Sequence, residues 1–373
     1  MTAHPETHNE IQSAKIKSLV DLFAAHNSRD LIRNLDIEMS ALTIAGLELP
    51  QSRSHSGIRG NCYICCPSTA YIDYAIDETR NFSKHPLLKS VLSWLIRCCS
   101  PLLKASGLDD QLQPNNWLFS TNPVPQLDEV RVRSIIERLT NDYPTSAIII
   151  RSLNEITDQH SMRCLEAQGF RLLATRQIYM FRGPSADGNH RRTINRDARM
   201  REKNGYVIVR NNQFEPADFV RCEILYNLLY LEKYSPLNPH YTAVFFQEMH
   251  QRGLIEFSGV RNSEGILDAV SGIFVNNNTM TQPFVGYDTK LPQAHGLYRI
   301  AMSFGFEYAL ASSKIYNLSS GAASFKRNRG GEPAIEYMAV YHRHLHLRRR
   351  MATAAIQKIL KTIGVPIMRR FEL

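Results

Sequence analysis

Leu254-Ile-Glu-Phe-Ser-Gly-Val260, Ile266-Leu-Asp-Ala-Val-Ser-Gly-Ile-Phe274 and Met280-Thr-Gln-Pro-Phe-Val-Gly-Tyr287 are three apolar runs of strand length, separated by Asn262-Ser-Glu-Gly265 and Asn276-Asn-Asn278. Asn and Gly tolerate the left-handed backbone of tight hairpins, so the region reads as an antiparallel meander. Such a sheet needs a helix to cover one face. Residues 296–312 supply it, with Leu297, Ile300, Ala301, Phe304 and Tyr308 on one stripe. Strands at 315–318 and 335–340 and a basic C-terminal helix complete the pattern. Between those two strands lies Asn317-Leu-Ser-Ser-Gly-Ala-Ala-Ser-Phe-Lys-Arg-Asn-Arg-Gly-Gly-Glu-Pro333. Small residues let backbone approach a ligand, and Lys326, Arg327 and Arg329 suit anionic oxygens. The stretch matches neither a P-loop nor a dinucleotide fingerprint. It reads as a ligand loop or as a basic surface turn.

Upstream of the meander, residues 206–209 read as a strand. Helices follow, one carrying Val220, Ile224, Leu225, Leu228 and Leu229 and another at about 244–252. Arg191, Arg192, Arg196, Arg199, Arg201 and Lys203 crowd one helical piece, as a phosphate grip or a solvated face. The turn formers Gly183-Pro-Ser-Ala-Asp-Gly-Asn-His190 mark a boundary, so lobes at 1–183 and 190–373 are expected. The first lobe reads as a helix striped by Ile16, Leu19, Val20, Leu22 and Phe23, a loop at 51–60, and two helices between 70 and 103, the second ended or bent by Pro101. A helix at 129–141, a strand at 147–151, a helix stopped by Gly169 and a strand at 178–181 then form an α/β unit. Trp117, inside Asn115-Asn-Trp-Leu-Phe-Ser-Thr-Asn-Pro-Val-Pro125, marks a substrate pocket or a turn with a buried indole.

At 373 residues the chain exceeds one average domain, and 43% hydrophobic with 21% charged residues is ordinary globular usage, which argues against extensive disorder. The net charge of +9 favours anionic partners: a phosphate-bearing cofactor, nucleic acid or an acidic membrane face. No signal-like start is present and no apolar run reaches the roughly 18 residues of a membrane span, so a cytoplasmic location is expected. The seven cysteines include Cys62-x-x-Cys65-Cys66 and Cys98-Cys99, which could supply zinc ligands; the second pair lacks the usual gap, and buried thiols are the plainer reading. His342-x-His-x-His346 sits among Arg343 and Arg348 to Arg350, which would repel a cation. No metal is expected.

Val285-Gly-Tyr-Asp288, Gly296-Leu-Tyr-Arg299 and Ser319-Ser-Gly-Ala-Ala-Ser-Phe-Lys326, in this order of helices and strands, resemble the GNAT superfamily of N-acyltransferases, in the branch that holds the Fem-type peptidoglycan-bridge ligases. The resemblance covers about residues 190–345. Leu165-Glu-Ala-Gln-Gly-Phe170 gives the first half a weaker likeness. It implies an α/β (α+β) fold, a mixed, largely antiparallel sheet flanked by helices, in two tandem lobes. It also implies transfer of an acyl group from a thioester, acyl-CoA or an acyl carrier protein, to an amine of an amino acid or related metabolite. An aminoacyl-tRNA donor and a non-catalytic binding role are the alternatives, since no acetyl-CoA loop of the usual Arg/Gln-x-x-Gly-x-Gly/Ala type is visible. The resemblance places Lys326 near the acyl carbonyl or the donor phosphates. Asp288 leads Glu307 and Glu336 as candidate base. Ser271, Phe274, Phe284, Gly286, Ser320, Gly321 and Arg299 would hold the donor, and Tyr287, Tyr298 and Trp117 the substrate.

Overall fold

The structure is a computed structural model that describes residues 5–55, 62–79, 86–184 and 188–373. Part of the expected loop at 51–60 and of the boundary at 183–190 lies outside them. The first half runs α1 (Pro5–Ala25), α2 (Ser28–Leu31), β1 (Glu38–Ile44), β2 (Leu47–Ser54), α3 (Ala75–Glu78), α4 (Pro86–Cys98), α5 (Ser100–Ser106), β3 (Gln111–Pro114), α6 (Glu129–Asp142), β4 (Ala147–Asn154), α7 (Gln159–Ala167) and β5 (Arg171–Phe181). The second begins with α8 (Asn189–Lys203), β6 (Val207–Arg210), α9 (Pro216–Tyr226) and α10 (Ala243–Gln251). It continues through β7 (Glu256–Arg261), β8 (Leu267–Asn276), β9 (Thr279–Tyr287), α11 (Leu297–Ser312), β10 (Ile315–Asn317), α12 (Ala323–Arg327), β11 (Glu332–Tyr341), α13 (Leu347–Ile359) and α14 (Val365–Phe371).

The strands join into one 11-stranded sheet in the order β1-β2-β3-β4-β11-β5-β10-β9-β8-β7-β6. Each half repeats one theme: an antiparallel run, then a strand added in parallel, β4 beside β3 and β10 beside β9. The halves then exchange their last strands. β11 lies between β4 and β5, antiparallel to both, and β5 in turn pairs with β10. The meander expected from the Asn-rich turns is β7-β8-β9, and α11 packs across it with Leu297, Ile300, Ala301 and Phe304 buried.

Both parallel pairs are brief. β9 meets β10 only from Ile315↔Thr279 to Asn317↔Thr281. Beyond that point Gln282 and Pro283 bulge against β8, where the register shifts between Gly272 and Phe274. Pro283 has no N–H to extend a ladder, so the bend sits where the sequence can supply it. On the other side, β3 meets β4 only at Gln111↔Ala147 and Leu112↔Ile148. The sheet therefore opens on either side of the exchanged strands.

The expected loop at 51–60 starts as strand: Gln51 to Ser54 pair with β3, and Gln51 to Arg53 with β1 as well. Its polar residues disguised it, because Gln51, Ser52 and Ser54 are buried and Ser52 Oγ accepts a hydrogen bond from Asn116 Nδ2 at 2.7 Å. The ligand loop also holds a short helix, α12, which the Gly/Ser content hid.

Three residues expected at the donor or substrate site are core residues. Trp117 is fully buried, and its Nε1–H donates to Asn115 Oδ1 at 3.1 Å. Its ring lies 4.9 Å from that of Phe274. Phe284 sits at the centre of the same cluster, edge-on to Phe119, Tyr241 and Phe246. Of the two readings of Trp117, the structure adopts the turn with a buried indole. Phe284→Ala is expected to destabilise the fold by about 4 kcal/mol through lost transfer energy and a cavity, read as a lowered urea midpoint at unchanged m-value.

Candidate functional site

The exchanged strands carry a charged pair. Arg176 of β5 and Glu336 of β11 are direct cross-strand partners, and Arg176 Nε donates to Glu336 Oε1 at 2.9 Å. Thr175 is the extra residue of a bulge beside them, and its hydroxyl donates to the Glu336 carbonyl at 3.0 Å. A second bulge on β4, at Arg151 and Ser152, faces the other side of β11. Bulges turn side chains out of the pleat. Here they turn Arg151, Ser152, Thr175 and Arg176 into a cavity of about 920 Å³ that occupies the opening of the sheet.

Arg176 also holds the turn at Ser120 and Thr121. Its Nη2 donates to the Ser120 carbonyl at 2.8 Å and to Thr121 Oγ1 at 2.9 Å, and Arg151 Nη2 donates to the same Ser120 carbonyl at 3.2 Å. Burial pulls the Arg176 pKa down, but the Glu336 carboxylate outweighs it and holds the guanidinium charged.

Lys326 stands across from this pair. It projects from α12 and is 2% exposed. Its Nζ donates to the carbonyls of Ser319 at 3.1 Å and Ser320 at 2.6 Å and lies 5.8 Å from the Tyr179 ring centre. Those carbonyls point inward because the turn before α12 is left-handed at Ser319, Gly321 and Ala322, with φ of 61°, 76° and 48°. Two of those residues are not glycine, so the turn stores strain that its hydrogen bonds to β5 hold in place. Burial, then the neighbouring Arg176, pushes the Lys326 pKa well below the usual lysine value. A neutral amine inside a cavity, beside a fixed cation, can take a proton, and once protonated can donate to a developing anion.

Around this centre stand Tyr63, Tyr71, Tyr74, Tyr230, Tyr298 and Tyr316. Burial raises the pKa of each of these phenols, so they act as neutral donors. Several come from π-helical turns at Thr69–Tyr74 and Asn227–Tyr234, and a third such turn, Leu360–Gly364, also borders the cavity. π-turns are rare and collect at functional sites.

Of the residues expected from sequence, Lys326, Ser320, Gly321 and Tyr298 line this cavity, and so does Glu336. Others lie elsewhere, for physical reasons. Asp288 accepts from Arg221 Nη2 at 2.8 Å and from the Lys290 N–H at 3.0 Å; burial would raise its pKa, but the Arg221 hydrogen bond prevails and leaves it below the ordinary value, unsuited to a base. Glu307 is held by Arg201. Ser271 Oγ accepts from Gln282 Nε2 at 2.5 Å inside the core. Gly286 lets α9 approach, since a Cβ there would stand 2.8 Å from the Leu225 and Tyr226 backbone. Arg299 and Arg329 share the buried carboxylate of Asp197 and line a separate polar pocket between α8 and α12. Tyr287 accepts a hydrogen bond from Lys233 at 3.0 Å next to Tyr298. His342 is buried, and burial with Arg171 and Arg350 takes its pKa down to about 4, while His344 hydrogen-bonds the Ser146 carbonyl. Among the described residues, no group of three His, Cys, Asp or Glu side chains could hold a metal ion. No helix there is long and apolar enough to cross a membrane.

Arg176, Arg151 and Gln282 also line the cavity, and the sequence does not single them out. The available signal was Arg176 itself, a cation within Arg171-Leu-Leu-Ala-Thr-Arg-Gln-Ile-Tyr179, a run otherwise suited to a central strand.

No protein-family model and no curated protein sequence matches the chain. Solved structures do resemble it. L-PGS from Bacillus licheniformis aligns at 14% identity and a TM-score of 0.45, over 63% of this chain and 78% of that one. FemX aligns at 11% identity and 0.43, over 63% and 85%. A tandem GNAT protein from the clavulanic acid biosynthesis pathway aligns at 10% identity and 0.36, over 62% and 74%. FemX and a GNAT protein are thus among the solved structures that align with the chain, each at a TM-score below 0.5.

Arg176→Met leaves Glu336 buried without its cation and strips the Ser120 and Thr121 bonds. A loss of about 3 kcal/mol in unfolding free energy is expected by urea denaturation.

Proposed function

We propose that the chain is an acyltransferase that moves an acyl group from an activated donor, a thioester such as acyl-CoA or an acyl carrier protein conjugate, to an amine. The observation that carries this reading is the buried Lys326 amine in the cavity beside Arg176 and Glu336. In such a reaction the amine nitrogen attacks the acyl carbon, the C–N bond forms, and the C–S bond breaks with its electron pair leaving on sulfur. The attacking nitrogen must shed a proton. Neutral Lys326 spends its two N–H bonds on the Ser319 and Ser320 carbonyls and keeps a lone pair for that proton. The resulting ammonium has a third N–H, which can return the proton to the departing sulfur. Arg176 lowers the cost of anionic oxygens in the same space, and Tyr298 and Tyr230 supply neutral O–H donors. Ser320 and Gly321 hold the donor in this scheme.

A second reading retains the fold and uses an aminoacyl-tRNA donor, in which a C–O bond breaks instead. The exposed Arg191, Arg192, Arg196, Arg199 and Lys203 on α8 favour it. It requires salt-sensitive tRNA binding.

Lys326→Met tests the main reading. Turnover is expected to fall about 100-fold, with stability at pH 7 held within about 1 kcal/mol, since burying the amine itself costs stability. The sign of the pH effect follows from the lowered pKa. Below it Lys326 is protonated and cannot accept, so kcat/KM rises with pH through that value, and this limb disappears in Lys326→Met. Full turnover in the variant would remove Lys326 from the reaction.

A further inference from the structure

The lining of the cavity divides into two chemically different parts. Lys326, Arg176, Glu336 and Arg151 make one of them polar. In the other, Leu95 and Ile96 of α4 and Leu102 of α5 face the cavity, as do Ile359, Ile363 and Ile367 of the C-terminal helices. The last three recur every fourth residue, so they form one stripe along that helical segment. Met338 of β11 lines the cavity too and packs with the apolar set.

An aliphatic stripe in a helix normally packs against another element. This one is turned to an open space, and Ile363 remains 46% exposed and Leu95 36%. Water against these aliphatic side chains gains no hydrogen bond from them. The occupant that fits is itself hydrocarbon.

We infer that the apolar part of the cavity receives the hydrocarbon chain of a long-chain substrate whose reacting group lies at Lys326. This rests on the acyl-transfer reading and specifies its substrate class. The chain belongs either to the acyl donor or to an amphipathic amine acceptor, and the two share the same tail chemistry.

The test is direct binding to the full chain, below the micelle concentration of each probe and with the stoichiometry measured. One arm uses acyl-CoA from acetyl to tetradecanoyl, the other straight-chain amines of the same lengths. In at least one arm, Kd is expected to fall about fourfold per added methylene across the middle of the series, the equivalent of about 0.8 kcal/mol. The arm that responds identifies which substrate carries the chain. Ile363→Trp, which fills the apolar part from a half-exposed position, and Leu95→Glu, which puts a charge into it, are each expected to weaken the long members while the short ones bind as before. Kd independent of length in both arms, or equal losses for short and long members in both variants, overturns the inference. Length-dependent binding without any acyl transfer would leave it standing and overturn the acyltransferase reading. Transfer without length dependence would do the reverse.

Discussion

The Arg176–Glu336 pair sits in the ladder by which each half of the chain holds the other's last strand. Ionised groups are costly to bury, and the cost is offset here only if both charges meet and their remaining polar atoms find partners. Slipping β11 by one residue would send Glu336 to the opposite face of the sheet and leave Arg176 alone. The pair therefore discriminates against wrong registers of β11, and with it β4, β5 and β10 are fixed. The same guanidinium reaches Ser120 and Thr121, and Thr121 reaches Ser319 at 3.3 Å, so the loops that frame the cavity from both halves hang on one residue.

That constraint sets the chemistry of Lys326. A lysine exposed on a surface turn would be an ordinary cation. Held at 2% exposure on α12, against the carbonyls of the strained turn and with a fixed guanidinium nearby, it is driven toward the neutral amine. The bulges on β4, β5 and β9 and the π-turns around them all deform regular elements at the cavity edge, the pattern expected where function overrides regular geometry.

Much of the second half was legible because its signals are local. The Asn262 and Asn276 turns, the α11 stripe and the Gly-rich break before Lys326 each lie within one element, and β7, β8, β9, α11 and β10 follow them. Lys326, Ser320, Gly321 and Tyr298 were legible for the same reason. What depends on distant pairing was not. Nothing local reveals that β11 pairs with β4 and β5, so the sequence does not single out Arg176, and Glu336 ranks behind Asp288. Apolar residues at strand positions were assigned to the donor, yet Phe274 and Phe284 point into an aromatic core. The π-turns leave no sequence mark, since their residues fit an α-helix equally well.

The titration of Lys326 is the most direct check on this account. With lysine labelled at Cε with ¹³C and Lys326→Met used to assign the resonance, NMR reads the pKa of that one amine in the folded protein. A midpoint well below the usual lysine value, moving upward in Arg176→Met as the neighbouring cation is removed, is the predicted result. A Lys326 resonance that titrates at the ordinary value and ignores Arg176 would contradict a buried neutral amine at the junction of the two halves, and the proton-accepting role would fall with it.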